Sequence, residues 1–234
     1  MTQICAVLFV AALGFTAPLG AQNQATSQDR AALEALRPSL SASAHATLTA
    51  TVRETSARGL PTGPLLVKAR EGLAKKVPDD RIVAAVRVVG EQLVRAQLVL
   101  RSGGTPSAPP TAAELIAVAD GLQRGVPEEA ISRLTGEARG RASIALSVHA
   151  LADVLEEGVP LAAGLDLIGA WQAQGGDPER LKEIPAAVER LVRQGVVPAR
   201  AGEAVAAGLR LGLRPGSILP ADIPGILRPG RPGG

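Results

Sequence analysis

The chain has 234 residues, 46% of them apolar, and its 25 basic against 22 acidic side chains give a formal charge of +3. One Cys excludes an internal disulfide framework and a thiolate metal site. A small Arg excess without a block of like charge argues against nucleic acid as a partner.

The first stretch, Met1–Ala21, holds an apolar run from Ile4 to Phe15, then Pro18 and small residues. This is the pattern of a secretory signal peptide cleaved after Ala21, too short to span a bilayer comfortably. Neither Lys nor Arg precedes the run, so an uncleaved anchor is the alternative reading. Cys5 lies ahead of the run and is misplaced for a lipoprotein cysteine. Cleavage would remove the only Cys, the only Met and both Phe residues, leaving Trp171 as the sole aromatic. The chain is therefore expected to be exported, periplasmic or extracellular, with no membrane span after cleavage and a core of Leu, Val, Ile and Ala.

Gln22–Asp29 is polar and reads as flexible, with a short helical stretch at Arg30–Leu36 stopped by Pro38; together they form a flexible segment over 22–38. A first helical segment follows over 39–101. Within it, Leu40, Ala44, Leu48 and Val52 recur at four-residue spacing, although the Ser and Thr content of Ser39–Arg58 weakens a helix. Pro64–Lys76 is the next helix, with Leu65 or Leu66, Ala69 and Leu73 inward. Asp79–Leu100 is the longest, its stripe running through Ile82, Val86, Val89, Leu93, Ala96 and Leu100.

Residues 102–111 form a Gly/Pro linker that either separates two subdomains or joins two parts of one array. A second helical segment spans 112–213. Its helices are expected over Ala112–Arg124, from Glu128 through Leu134, and over Arg141–Glu157, Leu161–Gln174, Glu179–Gln194 and Arg200–Leu211. Pro185 is expected to kink or restart the fifth of these. The tail, 214–234, is rich in Pro and Gly, yet Ser217–Leu227 keeps five Ile or Leu residues. It reads as a weakly packed arm, or as a segment that lies on the domain or docks on a partner.

The recurring punctuation is a Gly, one or two residues, then a Pro, clearest at Gly125-Val126-Pro127 and Gly158-Val159-Pro160, which are 33 residues apart. Glycine past one helix and proline at the start of the next make a helix-to-helix corner. The class is all-α: an array of short helices, arranged either as stacked αα-hairpins or as an irregular bundle.

Chemistry-bearing clusters are sparse. His149 and Asp153 share a helical face with Glu156 and Glu157 just beyond, but the other histidine, His45, is remote and a divalent site needs more ligands. Glu156–Glu157 sits at a helix carboxyl end, where the dipole disfavours it, so exposure, a neighbouring Arg or a cation must account for it. No catalytic set, cofactor site or metal site is predicted. The expected role is a non-enzymatic binding or scaffolding module of the bacterial envelope, engaging an envelope protein or polymer. Its candidate interaction residues are Trp171, Ile218, Leu219, Ile223, Ile226 and Leu227. The alternatives are an envelope hydrolase using carboxylates near His149, and a self-associating envelope component.

Overall fold

A computed structural model describes residues 19–103, 109–137, 141–177 and 180–219. Among them are ten α-helices and no strand: α1 Leu19–Leu36, α2 Ala42–Ala57, α3 Gly63–Ala74, α4 Asp79–Ser102, α5 Ala112–Gln123, α6 Glu128–Glu137, α7 Arg141–Glu156, α8 Leu161–Ala173, α9 Glu183–Arg193 and α10 Pro198–Arg210. No helix among these residues is long and apolar enough to cross a membrane. The signal segment falls almost wholly on residues 1–18, outside the described part.

Several of the helices end by one local chemistry. At Gly125 the backbone turns left-handed, with φ +88°. Its N–H donates to the Leu122 carbonyl at 3.1 Å, and that of Val126 donates to the Gly121 carbonyl at 2.9 Å. These bonds satisfy carbonyls that a helix end leaves free, and they push Val126 into the core. Pro127 then precedes α6. Gly158 repeats the arrangement at φ +83°, with Val159 buried ahead of α8. Lys76 takes the same backbone position without being glycine, at φ 54°.

Two regions differ from what the sequence suggests. Gln22–Asp29, expected as a polar flexible stretch, is helical and belongs to the 18-residue α1. That helix is tied down by tertiary contacts, because Asp29 accepts the Thr62 hydroxyl at 2.8 and 2.9 Å, and Leu33 and Leu36 are buried. Pro185 restarts rather than kinks its helix, since α9 begins at Glu183 and the preceding residues form a separate turn holding buried Leu181. In the Thr-rich α2, Thr47, Thr49, Thr51 and Thr55 each donate to the carbonyl four residues back. Their hydroxyls spend themselves within the helix instead of competing with it.

The packing order is simple. Every extensive helix contact is between neighbours in the chain or between next-but-one neighbours, as in α2 with α4, α5 with α7, and α8 with α10. Buried apolar side chains from Leu33 to Ile218 form one cluster, and α4 packs directly on α5 across the 102–111 segment. At 24 residues, α4 is the longest helix and touches α2, α3, α5 and α6. The segment after α10 folds back: Pro215–Ser217 makes a 3₁₀ turn against α9 and α10, and Ile218 is fully buried.

Candidate functional site

One interruption in this order positions the candidate site. Among the described residues, α3 and α5 are the only next-but-one pair without extensive contact. Both pack on α4, so an open slot of about 560 Å³ remains between them with α4 as its floor. Its walls carry Val67 from α3 and Ile116 from α5, which are 62% and 39% exposed. The cause is local. On α3 the buried stripe is Leu65, Leu66 and Ala69, and on α5 it includes Leu115, Val118 and Ala119. Val67 and Ile116 fall off those stripes, and an off-stripe apolar side chain has no interior to enter.

The floor is formed by Val89, Leu93 and Gln92. The Gln92 Oε1 is buried and has no hydrogen-bond partner. A buried acceptor without a donor costs about 1–3 kcal/mol. The rim is polar. Glu71 accepts from Lys68 at 3.0 Å and Lys75 at 2.5 Å, and these bonds, Lys75 first, lower its pKa to about 2. Asp120 stands opposite on α5.

Behind the α5 wall lies an ion-pair hub. Arg124 Nη2 reaches Asp153 Oδ1 at 2.5 Å, its Nε reaches Glu156 Oε1 at 2.7 Å, and its Nη1 lies 3.6 Å from Asp120 Oδ2. The hydrogen bond to Glu156 is the chief cause that raises the pKa of the guanidinium, and it lowers that of Glu156 in return. The acidic pair at the end of α7 therefore has an Arg beside it, and the hub clamps α5 to α7. His149 Nδ1 lies 3.5 Å from Asp120 Oδ2, an ion pair only when the ring is protonated.

The residues singled out from sequence are scattered. Asp153 and Glu156 are engaged by Arg124, which leaves them poorly placed as free acids or bases. Trp171 is 8% exposed on α8, and Gly176 lies so close over its ring that a Cβ there would be 2.2 Å from Cε2. It is a core side chain, distant in the packing order from the slot. Ile218 is buried against α10, Leu219 is 50% exposed, and Ile223, Ile226 and Leu227 lie outside the described residues. His45 is satisfied by the Leu33 carbonyl at 3.1 Å from Nε2. Among the described residues no group of three or more His, Cys, Asp or Glu is placed to hold a metal ion.

A second groove, of about 590 Å³, runs between α2 and α4 past Thr51, Gly90, Arg87 and Leu98. Its charged residues include Arg58 and Arg95, already paired with Glu54 and Glu128. Sequence reasoning missed the slot. Its one available signal was that Val67 and Ile116 are apolar residues left over from otherwise complete helical stripes. Arg124 was findable only through spacing, because it lies 32 residues from Glu156, close to the interval between the two Gly-Val-Pro corners. No known protein family, curated protein or solved structure matches this chain.

Proposed function

We propose that this protein is an exported, non-enzymatic binding module of the bacterial envelope, built as a stack of αα-hairpins, and that the slot between α3 and α5 receives a helical segment of a partner protein. The observation that carries this reading is the lack of an extensive helix contact at the slot among the described residues, with Val67 and Ile116 exposed on its two walls. Contacts restricted to near neighbours in the chain support a stack, because a closed bundle also brings its first and last helices together. The apolar run Ile4–Phe15 supports export. The occupant that fits is an amphipathic helix with an apolar stripe against Val67, Val89 and Ile116.

The test is a photo-crosslinking residue placed at Val67 in cells carrying the intact chain, with the same residue at exposed Val197 as the reference. A defined envelope protein crosslinked from position 67 and not from 197, and lost when Ile116→Arg is added, supports the slot. Equal yields from both positions, or capture indifferent to Ile116→Arg, count against it.

A further inference from the structure

The first hairpin of the array, α1 with α2, carries a cluster of donors that the slot does not use. On α2, Thr49, Arg53 and Ser56 follow one another at four- and three-residue spacing, so they share one face of the helix. With Val52, and with Asp29, Arg30 and Leu33 of α1, they line a concavity of about 240 Å³. Its floor is apolar, because Leu33 and Val52 are only 7% and 2% exposed.

Two arginines from different helices stand over this floor, and neither has a carboxylate partner. The neighbouring Arg37 and Arg58 are paired with Glu34 and Glu54, whereas Arg30 and Arg53 make no ion pair among the described residues. The one acid on the lining is engaged elsewhere: both oxygens of Asp29 accept from the Thr62 hydroxyl, at 2.9 and 2.8 Å. The Ser56 hydroxyl has no hydrogen-bond partner among the described residues. Like charges over an apolar floor repel one another, and the low local dielectric strengthens their field. An anion between them replaces that repulsion with charge-assisted hydrogen bonds. A carboxylate is satisfied by a single guanidinium fork, while a phosphate presents oxygens on several sides. Donors that come from two helices match the phosphate.

We propose that the concavity between α1 and α2 is a phosphate site, in which Arg30 and Arg53 hold a phosphate group, free or as a monoester, and the Ser56 hydroxyl donates a further hydrogen bond. The site is separate from the slot, since no residue lines both. It stands whether or not the slot receives a helix.

Titration calorimetry of the full chain with inorganic phosphate, near neutral pH and at an ionic strength held constant with sodium chloride, tests this. Saturable binding is expected. Arg30→Gln and Arg53→Gln should each weaken it at least about tenfold, the loss expected for a hydrogen bond to a charged group. Arg87→Gln removes an exposed cation of α4 outside the concavity and should leave binding unchanged. Glycerol phosphate in a parallel titration distinguishes the sources: tighter binding than the inorganic ion assigns the site to a phosphomonoester, and weaker binding assigns it to the free ion. Both arginines are exposed, so each variant should melt like the original chain without phosphate, and either one decides the matter where the other loses its fold. Three results overturn the proposal: no saturable binding of either ligand, binding that both variants leave intact, or an equal loss in Arg87→Gln, which marks a response to net charge alone.

Discussion

The contact between α5 and α7 and the gap between α3 and α5 involve one shared helix and opposite outcomes. On its α7 side, α5 presents Gly121, whose absent Cβ would lie 2.5 Å from Val148 Cγ1. Backbone and side chain meet with no room between them, and Arg124 bridges the outer edge to Asp153 and Glu156. On its α3 side, α5 presents Ile116, and α3 answers with Val67, both apolar and both partly in solvent. The closed contact uses a missing side chain to bring helices together, and the open one keeps branched side chains on both walls. Small residues close this array, and large apolar ones mark where it stays open.

Substitutions can break either side of that comparison. The largest effect is expected from Gly121→Val, which places a branched side chain against fully buried Val148. Overpacking of this kind costs about 2 kcal/mol, roughly 4–8 °C in Tm at this chain length, measurable by thermal melting. Next is Thr111→Ala. Thr111 caps α5 in a reciprocal box: its hydroxyl accepts from the Glu114 N–H at 3.2 Å, and its own N–H donates to Glu114 Oε2 at 2.6 Å. Loss of such a cap costs about 1 kcal/mol, and hydrogen exchange should rise in the first turn of α5, the turn before Ile116, while α7 stays protected.

A smaller, pH-dependent effect sharpens the role of the hub. Glu156 has its pKa lowered below 4.5 by the bond from Arg124, so its contribution is fully present above the unfolded value and is lost as pH falls through the folded one. The Tm gap between the original chain and Arg124→Ala should therefore be widest near neutrality and narrow as the pH drops below about 4.5. Glu71, with its pKa near 2, titrates alike in both chains and cancels from the difference. A gap that stays constant from pH 7 to 2 would show that Arg124 acts through packing alone. The smallest change in stability, within about 0.5 kcal/mol, is expected for Val67→Lys with Ile116→Lys, since neither side chain is buried. With the crosslinking residue at position 67, crosslinking at the slot should nevertheless disappear when Ile116→Lys alone is added.

Much of this architecture is written in the chain itself. The helical stripe Ile82, Val86, Val89, Leu93, Ala96 and Leu100 defines α4 because a 3.6-residue period leaves only one face to bury; five of these side chains are buried and Val89 is half-buried at the slot. Acidic residues follow Pro78 and Pro127 at the starts of α4 and α6, where the helix dipole favours them. Thr111 and Glu114 carry the capping-box spacing, a signal legible in the sequence. Composition also fixed the nature of the core: with Trp171 as the one aromatic beyond Phe15, buried volume comes from Leu, Ile, Val and Ala.

What the chain alone left open was decided by residues far apart in it. Gln22–Asp29 looks like a polar leader, and becomes helix where Thr62, 33 residues past Asp29, ties the segment down. Glu156 looks like an acid at the wrong helix end until Arg124 arrives from α5. Ile218 looks like a sticky residue on a proline-rich tail, and only the notch at Gly208 makes it an internal anchor. The slot exists because α3 and α5 both pack on α4 and make no extensive contact with each other, a property that belongs to neither helix separately. Local sequence sets which backbone turns and which face is apolar, since those depend on steric and hydration preferences within a few residues. Which apolar side chain is left uncovered depends on how close two remote helices can come, and only packing in three dimensions determines that.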